Sequence, residues 1–203
     1  MISPDWETLD KYKGTSLPHW NCENAIYHVT FRLADSIPQA KRVQWFRERT
    51  LITKSAAFKN RKLTKEEKER LKFLLSSKIQ KCLDAGHGEC LLRKPETAGI
   101  VEAALEYFDG QRYHLHAWSI MPNHVHVIVE PIAGFRISRI VHSWKSFTAN
   151  RINRQLGRGG QFWQHEPFDH IVRSEKEYLF QVDYVWNNPK KAGLTNCPRW
   201  KKD

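Results

Sequence analysis

One segment, MPNHVHVIVEP at residues 121–131, constrains the fold of this chain more than any other. Its valines recur at every second position, and successive side chains of an extended strand point to opposite faces. The segment therefore predicts a strand with the valines on a buried face and both His124 and His126 on the other. Two imidazoles side by side on a strand form half of a divalent-metal site. A bare His-x-His pair is more often two polar residues on a solvated sheet face than a metal site, so other residues must decide.

The charge of the chain narrows its choice of partners. The 203 residues fit one domain, and Lys plus Arg outnumber Asp plus Glu by 33 to 22, which gives a net charge of +11. Such a surplus favours polyanions, of which nucleic acid is the usual one. The 8 tryptophans add surfaces on which unpaired bases can stack, although most tryptophans are expected in the core.

Cysteine usage and hydropathy exclude several classes of protein. The 4 cysteines form neither a C-x-x-C pair nor a disulfide framework, which argues against zinc ribbons and secreted scaffolds. No segment approaches the ~18 apolar residues of a membrane span, and the N-terminal residues lack the apolar core of a signal peptide. We therefore expect a cytoplasmic protein without a membrane partner.

The order of the predicted elements indicates an α+β fold. A strand over 25–33 alternates polar and apolar residues, and the stretch 38–95 has helical composition with a capping box at Thr64 and Glu67. The later predicted elements are a helix over 96–108, hairpin strands over 113–120 and 124–130, a helix over 138–156, a strand over 168–172 and a helix over 175–188 that ends at Pro189. This order describes an antiparallel sheet backed by helices.

The last predicted helix carries two different stripes. The apolar stripe, expected to face the core, is Tyr178, Leu179, Val182, Val185 and Trp186. The other stripe is Glu177, Gln181, Tyr184 and Asn188. A tyrosine away from the core, one turn before an amide that can ligate a metal, is not what packing requires. Together with a His-x-His strand in a basic protein, it suggests phosphodiester chemistry.

These residues resemble a known group of enzymes. The run at 121–126 is similar to the histidine-hydrophobe-histidine signature of the HUH nucleases in their single-tyrosine branch. The segment 162–194, FWQHEPFDHIVRSEKEYLFQVDYVWNNPKKAGL, looks like the matching stretch of the REP-associated tyrosine transposases, relatives of the IS200-like transposases. The resemblance is strong over 113–194 and weak over 25–33.

The resemblance implies a ferredoxin-like antiparallel sheet and a DNA transposase or nuclease that cleaves and rejoins single-stranded or hairpin DNA. By position, His124 and His126 would be metal ligands with Asn188 as the third ligand, and Tyr184 would be the nucleophile. The ion would be Mg²⁺ or Mn²⁺, which takes hard oxygen ligands and neutralises phosphate charge. Attack by the tyrosine would give a 5′-phosphotyrosine and a free 3′-OH.

Several further residues are candidate contacts to DNA, for which REP-type palindromes are the partner that the resemblance implies. These candidates are His170, Arg173, Lys190 and Lys191, each of which could equally be a solvated surface group. A second His-x-His, His114 and His116, precedes the hairpin turn, and the register of the hairpin decides which way these rings face. The resemblance is compatible with a monomer or a homodimer.

We expect a single transposase domain over 1–203, with an N-terminal arm at 1–24, a helical insertion after the first strand at 38–95 and a catalytic core at 111–194. The insertion is longer than a compact core needs. Two other functions fit parts of the chain. One is a domesticated, non-cleaving DNA-binding protein, which would not require the complete set of two histidines, tyrosine and asparagine. The other, an RNA-binding regulator, depends only on charge and aromatic content.

Overall fold

The computed structural model describes residues 4–13, 18–75 and 77–202, and the chain divides into two compact units. One unit comprises Met1–Ala34 and Leu91–Asp203, and the other comprises Asp35–Cys90. The strands are β1 (Asp5–Lys13), β2 (Pro18–Glu23), β3 (Tyr27–Arg32), β4 (Tyr113–Met121), β5 (His124–Pro131), β6 (Phe168–Ile171) and β7 (Arg199–Lys201). The helices are α1 (Gln39–Phe58), α2 (Lys65–Leu75), α3 (Ser77–Asp84), α4 (Pro95–Glu106), α5 (Ile137–Gln155) and α6 (Glu175–Lys191), with a 3-10 helix at Leu91–Arg93.

The larger unit is built on a five-stranded sheet in the order β6-β3-β5-β4-β7, in which every neighbouring pair is antiparallel. The predicted hairpin of β4 and β5 is confirmed, and β5 lies at the centre of the sheet. The prediction of an α+β fold with an antiparallel sheet backed by helices is therefore confirmed. None of the helices that the structure describes is both long enough and apolar enough to cross a bilayer.

The sheet has a different layer of helix on each face. On one face, α4 and α5 cover the main core, to which β3 contributes Tyr27, Val29 and Phe31 and to which β5 contributes the predicted valines. On the other face, α6 covers a smaller apolar cluster, Ile26, Ala117, Ile128, Val172 and Val185. The alternation along β3 and β5 therefore places the histidines of both strands on the side of α6.

Helix α6 differs from its predicted form at two points. It runs through Pro189 to Lys191, because a proline near a helix end loses only one hydrogen bond and already has a helical φ. Its buried face also combines residues of both predicted stripes. Asn188, from the polar stripe, is 2% exposed, whereas Leu179, from the apolar stripe, is 62% exposed. Tyr184 packs at the edge of the apolar cluster instead of standing apart from it, so the predicted separation of the two stripes was wrong.

Three strands have no counterpart among the predicted elements. Strands β1 and β2 form a separate antiparallel ladder within the predicted N-terminal arm. Strand β7 is three residues long and pairs with the outer edge of β4. The charged β1 and the short β7 lack the alternation of apolar residues that marks a half-buried strand, so the sequence carries little signal for either.

The smaller unit, Asp35–Cys90, contains α1, α2 and α3. Its buried residues include Ile37, Cys82 and Leu83. The predicted capping box is confirmed: the backbone N–H of Glu67 donates to the hydroxyl of Thr64 at 3.2 Å, and the N–H of Thr64 donates to the Glu67 carboxylate at 2.9 Å.

Candidate active site

The turn before β5 is held from two sides. The backbone N–H of Leu33, at the end of β3, donates to the carbonyl oxygen of Asn123 at 2.9 Å. The N–H of Leu92 donates to the preceding carbonyl, that of Pro122, at 3.1 Å. The side chain of Asn123 is itself buried, and its Oδ1 lies 2.8 Å from Nδ1 of His124. This turn therefore sets both the backbone position and the ring orientation of the first candidate ligand.

Both candidate metal ligands on β5 are almost completely buried. His124 is 0% exposed and His126 is 1% exposed, and their ring centroids lie 4.8 Å apart. An amide oxygen only accepts, so the contact with Asn123 places the proton of His124 on Nδ1 and leaves a lone pair on Nε2. The ring of His126 approaches β3, where its Nδ1 lies 2.9 Å from the Thr30 hydroxyl.

A third histidine, His28 on β3, completes a row of rings on this face. Its Nε2 lies 3.0 Å from Nδ1 of His126, and its Nδ1 lies 2.7 Å from the side-chain oxygen of Gln181 on α6. Both ring nitrogens of His28 are therefore occupied by protein atoms. His28 connects the tyrosine helix to a candidate ligand and has no nitrogen left for a metal.

Burial keeps the three histidines neutral. It lowers the pKa of His124 to about 3, with the charge of Arg32 adding to the effect. Burial lowers the pKa of His28 to about 4, although the hydrogen bond to Gln181 acts in the opposite direction and raises this pKa. Burial also lowers the pKa of His126 well below its ordinary value, assisted by its two histidine neighbours. Neutral imidazole is the form that binds a metal, so these rings need lose no proton near neutral pH.

Tyr184 lies beside the histidine row. Its ring centroid is 5.7 Å from that of His126 and 5.9 Å from that of His28. The ammonium of Lys191, two turns further along α6, lies 5.2 Å from the centre of the Tyr184 ring. The structure thus brings the predicted nucleophile, the histidine pair and one of the predicted cations to the same face of the sheet.

Buried polar atoms without a hydrogen-bond partner are concentrated on this face. Among the residues that the structure describes, they include Nε2 of His124, Nε2 of His126 and Nδ2 of Asn188. The hydroxyl of Ser119, the cross-strand neighbour of His126 on β4, also has none. Because buried polar groups are normally satisfied, such a concentration identifies a candidate site for a ligand that would complete the bonding.

The donor set fits a divalent cation. The two imidazole nitrogens point their lone pairs away from their protein partners, and rotation of the Asn188 amide exchanges its nitrogen for an oxygen. Among the described ranges, no three His, Cys, Asp or Glu side chains are arranged to hold a metal ion. The candidate ligand set consists of the two histidines and the amide of Asn188.

The other residues that were predicted to contact DNA have different surroundings. His170 on β6 is the cross-strand neighbour of His28, and its Nε2 lies 2.7 Å from the carboxylate of Glu177. The side chains of Arg173 and Lys190 are exposed. Their role in binding DNA stays a prediction.

The second His-x-His does not join the site. A β-bulge between Leu115 and Ala117 breaks the register of β4 at His116. His116 instead lies 2.9 Å from the Tyr178 hydroxyl and 3.1 Å from the Glu130 carboxylate, while His114 is exposed. The same contact holds Tyr178, the other tyrosine of α6, against β4.

Sequence reasoning missed three residues of this cluster, His28, Thr30 and Ser119, and it placed Gln181 on the stripe of Tyr184 without its contact to His28. The alternation along 25–33 already placed His28 and Thr30 on one face of their strand. The sequence did not indicate that β3 pairs with β5, and it is this pairing that places that face of β3 beside His126.

Comparisons with known proteins identify the family and the fold of this chain. A family model described as "Transposase IS200 like" matches residues 86–188, about half of the chain. An uncharacterized protein of Haemophilus influenzae is 31% identical over 91 residues, covering 34% of this chain and 51% of its own length. A REP-associated tyrosine transposase of Escherichia coli is 27% identical over 84 residues, covering 40% of this chain and 47% of its own. The chain thus spans about half the length of the curated relatives it matches.

A solved structure shows the same fold. It is that of a REP-associated tyrosine transposase bound to a REP hairpin, with a TM-score of 0.54 and 16% sequence identity. The match covers 90% of this chain and 76% of the other. Because the family model matches just over half of the chain, including all of β4 and β5, the chain belongs to the IS200-like transposase family.

Proposed function

We propose that this protein cleaves and rejoins single-stranded or hairpin DNA through a covalent 5′-phosphotyrosine, with Tyr184 as the nucleophile. The observation that carries the proposal is the position of the Tyr184 ring, 5.7 Å from the His126 ring. His126 and its neighbour His124 each keep a buried ring nitrogen without a protein partner. A DNA-binding module of the same fold would need neither the nucleophile nor the unpartnered nitrogens.

The cleavage step exchanges one phosphodiester for another. The Oη of Tyr184 loses its proton and forms a bond to phosphorus, while the bond from phosphorus to the 3′ oxygen breaks and that oxygen takes up a proton. The products are a 5′-phosphotyrosine and a free 3′-OH. Because no bond energy is lost, attack of a 3′-OH on the phosphotyrosine rejoins strands without ATP.

The residues that would hold the cofactor are His124, His126 and Asn188. When bound, Mg²⁺ or Mn²⁺ supplies positive charge that neutralises the phosphate and orients the leaving oxygen. The protein supplies two neutral imidazoles and one amide in a buried setting, so few solvent molecules compete for them. The position of Asn188, one turn beyond Tyr184, links the ligand set to the nucleophile.

DNA is the substrate that fits both the net charge of the protein and the ligand of its structural relative. The net charge of +11 favours a polyanion, and Lys191 lies over the ring of the nucleophile, where it can contact a phosphate. Arg173, Lys190 and His170 are further candidate contacts to the DNA backbone. The structural relative carries a REP hairpin. A single strand is flexible enough to present one phosphate to Tyr184 and can stack its unpaired bases on aromatic side chains, so we propose single-stranded or hairpin DNA, met in the cytoplasm, as the substrate.

The experiment is the capture of the covalent adduct. Labelled DNA hairpins are mixed with the protein and Mg²⁺ and then separated under denaturing conditions. Tyr184→Phe removes only the hydroxyl, so it should abolish the adduct and leave DNA binding intact. The matched control is Tyr178→Phe on the same helix, whose hydroxyl contacts His116, and it should keep the adduct. An adduct that persists in Tyr184→Phe and disappears in Tyr178→Phe would reverse the assignment.

A second variant separates cleavage from binding. His126→Ala should abolish cleavage that depends on Mg²⁺ or Mn²⁺, whereas salt-sensitive binding through Lys and Arg should persist. Binding of hairpins by the parent protein without any adduct would instead favour a domesticated, non-cleaving DNA-binding protein.

A further inference from the structure

A chain of three side chains links the tyrosine helix to one candidate metal ligand. The Gln181 side-chain oxygen lies 2.7 Å from Nδ1 of His28, and Nε2 of His28 lies 3.0 Å from Nδ1 of His126. His28 is 7% exposed and His126 is 1% exposed, so neither ring exchanges its partners freely with solvent. The order along the chain is a glutamine of α6, a histidine of β3 and a histidine of β5.

The chemistry of neutral imidazole fixes where each proton lies. A neutral ring has one nitrogen that donates and one that accepts. The Gln181 oxygen accepts, so Nδ1 of His28 donates to it and Nε2 of His28 must accept. Nδ1 of His126 then donates to His28, which leaves the lone pair of His126 on Nε2. That nitrogen is the one without a protein partner.

Reversal of the glutamine amide would reverse the whole chain. Its nitrogen would donate to Nδ1 of His28, Nε2 of His28 would donate to His126, and the proton of His126 would move to Nε2. A protonated Nε2 cannot bind a cation, and it would be a buried donor without an acceptor. The Thr30 hydroxyl, 2.9 Å from Nδ1 of His126, can donate or accept and so selects neither arrangement.

We propose that Gln181 and His28 are positioning residues that hold His126 in the tautomer with its lone pair on Nε2. The inference rests on the proposed metal role of His126. Because Gln181 lies on α6, three residues before Tyr184, the docking of the tyrosine helix also prepares the ligand. His124 is set independently through Asn123, so its tautomer does not depend on the helix.

The tautomers are measured directly in the metal-free protein. With ¹⁵N-labelled histidine, long-range ¹H–¹⁵N correlation spectra distinguish a ring protonated on Nδ1 from one protonated on Nε2. In the parent protein, both His124 and His126 should carry the proton on Nδ1. In Gln181→Leu, the His126 signals should shift toward the other tautomer while those of His124 stay unchanged.

Two further variants identify the cause. Gln181→Glu keeps an acceptor and should retain the parent tautomer of His126. Asn187→Leu removes an amide from the same helix, one that donates to Asp183 at 2.7 Å, and should change neither histidine. Calorimetric titration with Mn²⁺ should give binding about 10-fold weaker in Gln181→Leu than in the parent, as for other residues that orient metal ligands.

A proton on Nε2 of His126 in the parent protein would overturn the proposal, as would a His126 tautomer that is the same in Gln181→Leu and in Asn187→Leu. The failure of the proposed function would look different: the tautomers and their dependence on Gln181 would hold, while no covalent adduct formed.

Discussion

Replacing Asn188 should have opposite effects on stability and on metal binding. Asn188 is 2% exposed, and its Nδ2 has no hydrogen-bond partner. An unsatisfied buried polar group costs about 1–3 kcal/mol. Leucine has a similar volume, no polar atom and a helix propensity better by roughly 0.5 kcal/mol. Without metal, Asn188→Leu should therefore be more stable than the parent by about 1–3 kcal/mol. Asn188→Asp should be less stable, because it buries a carboxyl group.

Divalent metal should narrow or reverse the difference in stability between these proteins. An ion bound only by the folded state stabilises it by about 2.7 kcal/mol at 100 times the dissociation constant. We expect this gain in the parent, an equal or larger gain in Asn188→Asp, and a much smaller one in Asn188→Leu. Hydrogen exchange at the β5 amides, with and without Mn²⁺, measures the free energy of opening of the larger unit separately from that of the smaller unit. In the cleavage assay, Asn188→Leu should require more Mn²⁺ than either other protein.

Two results would refute this reasoning. If Asn188→Leu is less stable than the parent without metal, the amide is already satisfied by the protein. If Mn²⁺ stabilises all three proteins equally, Asn188 is not a ligand and only packs on the buried face of α6. Gln181 would then be the next candidate ligand on α6.

Two further predictions concern the rest of the larger unit. Tyr113→Phe removes the oxygen that accepts from Nε1 of Trp144 at 2.9 Å, so it should lower the free energy of unfolding by about 1–3 kcal/mol, measured by urea denaturation followed through tryptophan fluorescence. The hydrogen bond that His19 donates to the Asp169 carboxylate raises the pKa of His19, so the stability from this pair should be fully present below about pH 6.5 and should be lost as pH rises through the folded pKa. Hydrogen exchange of the β6 amides across that range should show this loss in the parent and not in Asp169→Asn.

The elements that alternate cleanly were predictable from the sequence, and so was the face on which their histidines lie. In β5, strict alternation of valine with other residues leaves one arrangement that buries the valines. In α6, apolar residues spread over a broad arc, so the same pattern was compatible with more than one buried face. Burial of Asn188 and exposure of Leu179 depend on where the helix meets the sheet.

The residues that orient the candidate ligands could not be predicted from the sequence, for a different reason. The link from Gln181 through His28 to His126 joins three elements that are far apart along the chain, and it exists only in the observed register of β3 with β5. The bulge that removes His116 from the site likewise leaves no pattern in the residues that form it. Local preferences indicate elements and faces, whereas such contacts arise from long-range pairing.

The clamped turn before β5 has a consequence for how this chain can diverge. The amides that bind the turn, those of Leu33 and Leu92, lie just outside the two ends of the Asp35–Cys90 unit, and their acceptors are consecutive carbonyls. The chain therefore leaves and returns at one place in the larger unit. The entropic cost of closing a loop grows only slowly with its length. A longer or shorter segment between these two points therefore changes that cost only slightly. A lineage can enlarge, shorten or replace the intervening segment while Asn123 and His124 keep their positions.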